Sequence, residues 1–188
     1  MNETLLFPPG LPLSRIGKVL LGLNVIGLFI IWFQGLYAYA SLEGVVPTHF
    51  DLSGQPDSYG SSDVFLVVLP IVSIAPIIII LVTTYRFTLL NKYPYLINLP
   101  AFYAYIPKIP FEKRAYWVNR YFEAILAVGA FLSLYMNLML WGIYLGTIEE
   151  ALPNWWLPLI ILMVSSMITS LIYYFYRLSK QMKKEIVE

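Results

Sequence analysis

The sequence predicts an all-α integral membrane protein with four transmembrane helices, and three observations support this. Hydrophobic residues make up 59% of the chain and charged residues only 12%, whereas soluble domains carry about 25% charge. Four apolar runs each reach the ~20 residues that cross ~30 Å of hydrocarbon. All 12 Lys and Arg residues fall on one side of the bilayer that these runs predict.

The predicted helices cover approximately residues 19–40, 63–85, 118–145 and 155–176. In lipid, backbone groups must form hydrogen bonds within their own segment or within a closed barrel. Runs such as IVSIAPIIIILV do not alternate as barrel strands do, so the helical interpretation is preferred. With no internal repeat and no low-complexity tract, residues 1–188 are predicted to form a single four-helix membrane domain.

Charge distribution predicts the orientation in the membrane. Lys and Arg precede the first run, follow the fourth, and lie in or beside the loop between the second and third. By the positive-inside rule, both termini and this second loop are predicted to be cytoplasmic in a multi-pass protein of the cell membrane. The other two loops contain no Lys or Arg and are predicted to face outward. They carry six acidic residues: Glu43, Asp51, Asp57, Asp63, Glu149 and Glu150.

The loop at residues 86–117 is apolar, aromatic and interrupted by four prolines in YPYLINLPAFYAYIPKIPF. It is too broken to span, so we expect it to lie on the inner membrane surface. The basic inner face is expected to contact anionic lipid or a cytoplasmic partner, and membrane topology accounts for its charge without nucleic acid.

Glu123 is the one charge well inside an apolar run, and Arg120 and Asn119 lie on its helical face. This spacing predicts an ion pair near the inner boundary, with a proton or substrate relay as the alternative. Asn137 is expected to bond a neighbouring helix. If Glu123 and Asn137 instead line a pathway with Asn24 and Gln34, the protein would be a small-solute or ion transporter component, in a homo-oligomer.

Helix 4 carries a small-xxx-small pair, Ser166 and Ser170, with Ser165 and Thr169 alongside. Small residues with hydroxyl groups are typical of close helix contacts in membranes. We therefore predict that this stripe packs against another helix.

The outer loop, VPTHFDLSGQPDSYGSSD, is the longest polar stretch and contains the sole histidine, His49. Three interpretations stay open: a structured cap in which Asp57 closes a turn, a metal site, and a recognition surface. For ligand binding or sensing, the candidates are His49, Asp51 and Asp57, with Gly54 and Pro56 shaping the turns.

Any metal bound here would use His49, Asp51 and Asp57, but their spacing matches no standard ligand pattern and lacks EF-hand order. No cofactor is therefore predicted, and a divalent metal in a metal-binding membrane hydrolase is the alternative. The chain has no Cys, and no H-E-x-x-H, G-x-S-x-G or P-loop motif. A non-enzymatic protein is expected.

The stretch VVPTHFDLSGQPDSYGS resembles a bacterial and archaeal membrane domain of unknown function with the signature P-x-H-F-x-x-x-G-x-P-D, which occurs in SdpI-like immunity proteins. The resemblance covers about residues 19–145. It implies resistance to an extracellular peptide toxin, together with signalling in which the toxin-bound protein sequesters a repressor at the membrane. The matching residues are Pro47, His49, Phe50, Gly54, Pro56, Asp57 and Gly60.

Overall fold

The computed structural model describes residues 6–8, 10–94 and 100–187, and most of them are helical. Each of the four longest helices is long and apolar enough to cross a membrane, which confirms the predicted number of long apolar helices. The elements in chain order are α1 (Arg15–Ser41), β1 (Val45–Phe50), β2 (Pro56–Ser61), α2 (Val64–Thr84), α3 (Arg86–Lys92), α4 (Pro100–Tyr105), α5 (Phe111–Ile148) and α6 (Trp156–Val187).

Two helices are longer than the apolar runs from which they were predicted. Helix α5 begins at Phe111, before the apolar run at 118–145, and α6 continues to Val187, beyond the run at 155–176. The added turns contain Lys, Arg, Glu and Gln, which favour helix but do not register as apolar. The helices therefore extend beyond the hydrophobic stretches on the side that carries the basic residues.

A two-stranded antiparallel sheet adds a β-hairpin to the otherwise helical fold. Val46 pairs with Gly60 and Phe50 with Pro56, and the register shifts around His49. Such a shift is typical of a β-bulge, which bends a strand and redirects its side chains. Val46 is buried with Ala38 and Phe65, where the end of α1 meets the start of α2.

Helix α5 is central and packs against α1, α2 and α6. Asparagine side chains join α1 to α5: Asn24 Nδ2 donates to the Leu126 carbonyl at 2.9 Å, and Asn137 Nδ2 to that of Gly27 at 3.0 Å. Glycines allow close approach elsewhere. A Cβ on Gly142, for example, would lie 2.1 Å from the Trp156 ring, so α5 and α6 meet closely there.

The bundle has two different ends, which we call the hairpin end and the basic end. The hairpin end contains the loop of the hairpin and the turn between α5 and α6. The basic end contains the segment at residues 6–8 and 10–14, here called the N-terminal segment, with α3, α4 and the start of α5. Its core is the larger and consists of Phe7, Leu90, Phe102, Ile106, Ile109, Trp117, Val118, Phe122, Leu178 and Met182.

The predicted membrane-surface loop is partly folded into this core. Phe102, Ile106 and Ile109 are buried in it, and α4 contacts α6. Residues 95–99 of the same loop lie outside the described residues. In the described part, apolar side chains therefore pack against the bundle.

Candidate functional site

The tip of the hairpin is attached to the turn between α5 and α6. The Leu152 amide donates to the Gly54 carbonyl at 2.8 Å. Gly54 has φ +82°, and a Cβ there would lie 3.0 Å from the Leu152 carbonyl oxygen, so both conformation and space favour glycine. Below the tip, Phe50 packs against Gly146, whose added Cβ would lie 2.6 Å from the Phe50 ring. These contacts set the position of the hairpin over the helices.

Asp51 organises the turn of the hairpin. Its Oδ1 accepts from the Ser53 amide at 2.8 Å, the Ser53 hydroxyl at 2.7 Å and the Gln55 amide at 2.9 Å. The hydrogen bond from the Ser53 hydroxyl, followed by that from the Gln55 amide, lowers the pKa of Asp51 below its ordinary value because both favour the charged form. Asp51 is therefore a turn-forming residue.

His49 and Asp57 form a pair on the surface of the hairpin. His49 Nδ1 lies 2.5 Å from Asp57 Oδ1, and the two side chains are 67% and 48% exposed. Exposed ion pairs contribute little to stability. Of the five predicted ligand-binding residues, Asp51, Gly54 and Pro56 shape the hairpin, whereas His49 and Asp57 present polar atoms to the surroundings.

A groove of about 690 Å³ separates the hairpin from α5 and α6. Residues 48–54, including His49, line it from the hairpin, and Asn154 lines it from the turn between α5 and α6. Asp57 and Pro56 do not line it. The other wall and the floor are largely apolar and include Met139, Ile143, Leu152, Trp156, Leu157 and Ile160. A polar rim over an apolar floor suits an amphipathic ligand.

Within the described part of the chain, no three His, Asp or Glu side chains come together as a metal site would require. Asp51 Oδ1 already accepts hydrogen bonds from its own turn. His49 and Asp57 would supply two ligands, whereas zinc sites use three or four. The metal-dependent hydrolase therefore gains no support from this geometry.

Glu123 lies at the basic end and is only 5% exposed. Its Oε1 accepts from the Ser14 amide at 3.0 Å, and Arg120 Nη1 lies 3.9 Å from its Oε2. The predicted ion pair between Arg120 and Glu123 is present, but its 3.9 Å separation is long for such a contact. The closer contact joins Glu123 to the N-terminal segment, and no local sequence pattern indicates it.

Arg86 is the residue at the basic end whose role sequence reasoning missed. Its guanidinium is buried and donates to the carbonyls of Thr83 and Leu11, at 2.8 and 2.7 Å, and to Asn119 Oδ1 at 2.8 Å. Asn119, which was expected to face Glu123, also donates to the Leu11 and Pro12 carbonyls. Arg86 looks like any other basic residue after an apolar run, so the sequence contains no signal for this role.

Several polar atoms in the apolar part of the bundle have no hydrogen-bond partner among the described residues. Asn24 Oδ1, Gln34 Oε1, Ser133 Oγ and Asn137 Oδ1 are buried and unpaired. Asn137 bonds the neighbouring helix as predicted. By contrast, Ser165, Ser166, Thr169 and Ser170 are exposed, so no helix within the described part of the chain buries this stripe.

The arrangement defines a class of polytopic membrane protein: four candidate spans, a hairpin attached over one end, and a buried polar cluster at the other. Residues 26–74, from α1 through the hairpin into α2, match the model of a domain of unknown function, DUF1648. No solved structure matches the chain.

A relative described as an uncharacterized protein of Archaeoglobus fulgidus is 42% identical over 177 residues. The match covers 94% of this chain and 97% of the archaeal protein. This chain therefore belongs to the same protein family as that archaeal protein.

Proposed function

We propose that this protein is a multi-pass protein of the cell membrane that binds a cationic amphipathic peptide from outside the cell at its hairpin end. Both termini and the basic end then face the cytoplasm. The observation that carries the proposal is the groove between the hairpin and the α5–α6 turn, with its apolar floor and its rim of His49, Asp51 and Asn154.

Charge supports a cationic ligand. The two loops at the hairpin end contain six acidic residues and no Lys or Arg, so the potential around the groove attracts positive charge. The groove is also continuous with the membrane-facing ends of α5 and α6, since Met139 and Ile160 line it. An amphipathic helix at the membrane surface would place its apolar face in such a groove.

The resemblance to SdpI-like immunity proteins supports a toxic peptide as the ligand and protection of the cell as the consequence. All seven signature residues lie in the hairpin, between Val45 and Ser61. His49 is a signature residue that lines the groove, and its exposed partner is Asp57, so His49 is the candidate for contact with the peptide and Asp57 for orienting its ring.

Binding is tested with the full chain in nanodiscs of neutral lipid, using a fluorescent cationic amphipathic peptide and an anionic peptide with the same apolar pattern. We expect the cationic peptide alone to bind. Leu157→Trp fills the groove and should weaken binding about tenfold, which corresponds to 1.4 kcal/mol. The matched control is Leu162→Trp on the same helix, where the side chain is 67% exposed. Equal binding of both peptides, or equal affinity of the two variants, contradicts the proposal.

The cellular consequence is tested by survival. Expression of the protein in bacteria sensitive to a membrane-active peptide should increase survival, and His49→Ala should remove the protection although the variant reaches the membrane in equal amount. If cells with the protein, with the variant and with an empty vector survive equally across a panel of cationic peptides, immunity is the wrong interpretation.

A further inference from the structure

We infer that an anionic phospholipid binds between α5 and α6 at the basic end, with its phosphate on two arginines and one acyl chain in a crevice between the helices. The crevice has a volume of about 170 Å³ and is here called the α5–α6 crevice. It is distinct from the peptide groove at the hairpin end, and the inference does not depend on the proposed function.

The α5–α6 crevice is largely apolar and follows the direction of the two helices. On each helix its lining residues are three or four positions apart, so they share one helical face. Along α5 the lining extends for about 11 Å at 1.5 Å per residue. This shape suits a hydrocarbon chain that lies along the helices. The lining residues are Ala124, Ala127, Val128 and Phe131 of α5, and Met167, Ser170, Leu171 and Tyr174 of α6.

Two arginines lie at the mouth of the crevice nearest the basic end. Arg120 precedes Ala124 by four residues on α5, and Arg177 follows Tyr174 by three residues on α6. Each arginine is therefore one turn beyond the lining, on the same face of its helix. The Tyr174 hydroxyl donates to the Arg120 carbonyl at 3.2 Å, and the Arg120 guanidinium carbon lies 6.0 Å from the centroid of the Tyr174 ring. The start of α5 and the end of α6 thus bring both arginines to one mouth.

Neither guanidinium group forms a hydrogen bond to the described part of the chain. Arg120 Nη1 lies 3.9 Å from Glu123 Oε2, and the Arg120 side chain is 34% exposed. Its Nε is enclosed and unpaired, so the terminal nitrogens are the ones available to a ligand. Arg177 is exposed. A phosphate group accepts charge-assisted, bidentate hydrogen bonds from guanidinium, so it would satisfy donors that the chain leaves open.

The balance of charge at the mouth favours an anionic headgroup. The carboxylate of Glu123 offsets only one of the two positive charges. It is also directed to another partner, because it accepts from the Ser14 amide and is only 5% exposed. Basic pockets between transmembrane helices bind anionic headgroups. A zwitterionic lipid carries an additional ammonium group that the arginines repel, so we expect selectivity for net negative charge.

The position of the arginines favours a lipid over a free phosphate ester. They lie close to residues 118 and 176, where the apolar runs of α5 and α6 begin and end, and this is the boundary between hydrocarbon and headgroups. The crevice continues from this boundary into the apolar part of the bundle. One phospholipid would therefore contact the arginines with its phosphate and the crevice with its acyl chain.

Native mass spectrometry of the full chain tests the selectivity for the headgroup. The protein in detergent is titrated with phosphatidylglycerol and, separately, with phosphatidylcholine that has the same acyl chains. We expect phosphatidylglycerol to bind at least tenfold more tightly. Glycerol 3-phosphate has the charge without the acyl chains and should not bind at the same concentrations. Equal affinity for the two lipids, or binding of glycerol 3-phosphate as tight as that of phosphatidylglycerol, overturns the inference.

Substitution of the arginines tests the phosphate contact in the same titration. Arg177→Gln should weaken the binding of phosphatidylglycerol about fivefold, and Arg120→Gln with Arg177→Gln more than tenfold, from the typical contribution of a basic residue at an anionic surface. The matched control is Arg15→Gln with Lys18→Gln, which removes two exposed charges of α1. Because Arg120 also pairs with Glu123, the single Arg177→Gln variant decides the outcome if the double variant fails to fold. Unchanged affinity in Arg177→Gln, or an equal loss in the control, contradicts the phosphate site.

A third pair of variants tests the acyl-chain contact. Ser170→Phe fills the crevice and should weaken the binding of phosphatidylglycerol roughly tenfold, as if about two methylene groups lost their apolar contact. Thr169→Phe introduces the same side chain at the adjacent exposed position, which does not line the crevice, and should leave the affinity unchanged. Equal affinities of the two variants would show that the acyl chain does not occupy the crevice.

Discussion

At the basic end of the bundle, Arg86, Asn119 and Glu123 are buried and bonded to backbone far away in the sequence, whereas the polar side chains of the hairpin are exposed and bonded to close neighbours. Arg86 contacts Leu11 across 75 residues. His49 contacts Asp57 across 8 residues. The buried hydrogen bonds at the basic end stabilise the fold, because removal of one partner would leave the other partner buried without a hydrogen bond.

At the hairpin end, by contrast, the exposed polar contacts contribute little to the stability of the fold. Water competes for the His49–Asp57 pair, so either side chain can exchange its partner for a ligand at little cost to folding. The two polar regions therefore differ in what they contribute to the fold. Buried polar residues of the basic end hold the N-terminal segment to the bundle, whereas the exposed His49–Asp57 pair contributes little to folding.

The largest expected effect is at the basic end, where Arg86→Leu removes three hydrogen bonds and leaves the Thr83 and Leu11 carbonyls buried. We expect the free energy of unfolding to fall by about 3 kcal/mol, as is typical when buried polar groups lose charged partners. Unfolding in mixed micelles measures it. Arg177→Leu, at an exposed basic residue, is the control and should change stability by less than about 0.5 kcal/mol. Similar losses in both variants would remove the contrast between the two ends.

The next effect concerns the attachment of the hairpin. Gly54 and Gly44 have nearly the same φ, +82° and +81°, but only Gly54 has a neighbour that a Cβ would contact. Alanine at either site introduces strain of about 1 to 2 kcal/mol, and Gly54→Ala should in addition separate the hairpin from Leu152. Hydrogen exchange of the Leu152 amide should therefore accelerate in Gly54→Ala and stay unchanged in Gly44→Ala. Equal exchange in the two variants would show that the attachment has another origin.

A smaller effect is expected from pH. The pKa of Asp51 is lower in the folded hairpin than its ordinary value. The ionised carboxylate therefore stabilises the hairpin fully at pH values above the ordinary pKa. This stabilisation is lost as the pH falls through the pKa of the folded state. Protection of the Ser53 and Gln55 amides should persist at pH 5 and decline only below about pH 4. Asp51→Asn keeps an acceptor oxygen without titrating there, so its protection should not vary with pH. A transition near neutrality in the wild type would contradict this role.

The smallest effect on stability is expected at the exposed pair. His49→Ala and Asp57→Asn should each change the free energy of unfolding by less than about 0.5 kcal/mol, while the peptide-binding assay registers their loss. A destabilisation comparable to that of Arg86→Leu would make the pair structural and weaken its assignment to recognition.

Much of the fold follows from local sequence properties. The four long helices were predictable because ~20 apolar residues in a row have few alternatives in lipid. The turn at the hairpin tip was readable from DLSGQPD, since Asp51 and Gly54 act within five residues. The hairpin itself was not predicted, because its pairing depends on contacts of Val46 and Phe50 with helices elsewhere in the chain.

The roles of individual polar residues were harder to predict. His49, Asp51 and Asp57 looked equivalent in the sequence, yet Asp51 is occupied by its own turn and His49 lines the groove. Ser166 and Ser170 were expected to pack on another helix, yet no helix of the same chain covers them in the described part. Their accessibility depends on where distant elements lie, which no local pattern contains.

Length, hydropathy and charge are additive along the chain, so the number of apolar helices and the separation of basic from acidic loops were predictable from the residues alone. Which polar groups are buried and which are exposed depends on the tertiary structure. The contacts of Arg86 with Leu11 and of Gly54 with Leu152 join residues far apart in the sequence. Such contacts form through packing, and packing is a property of the assembled bundle.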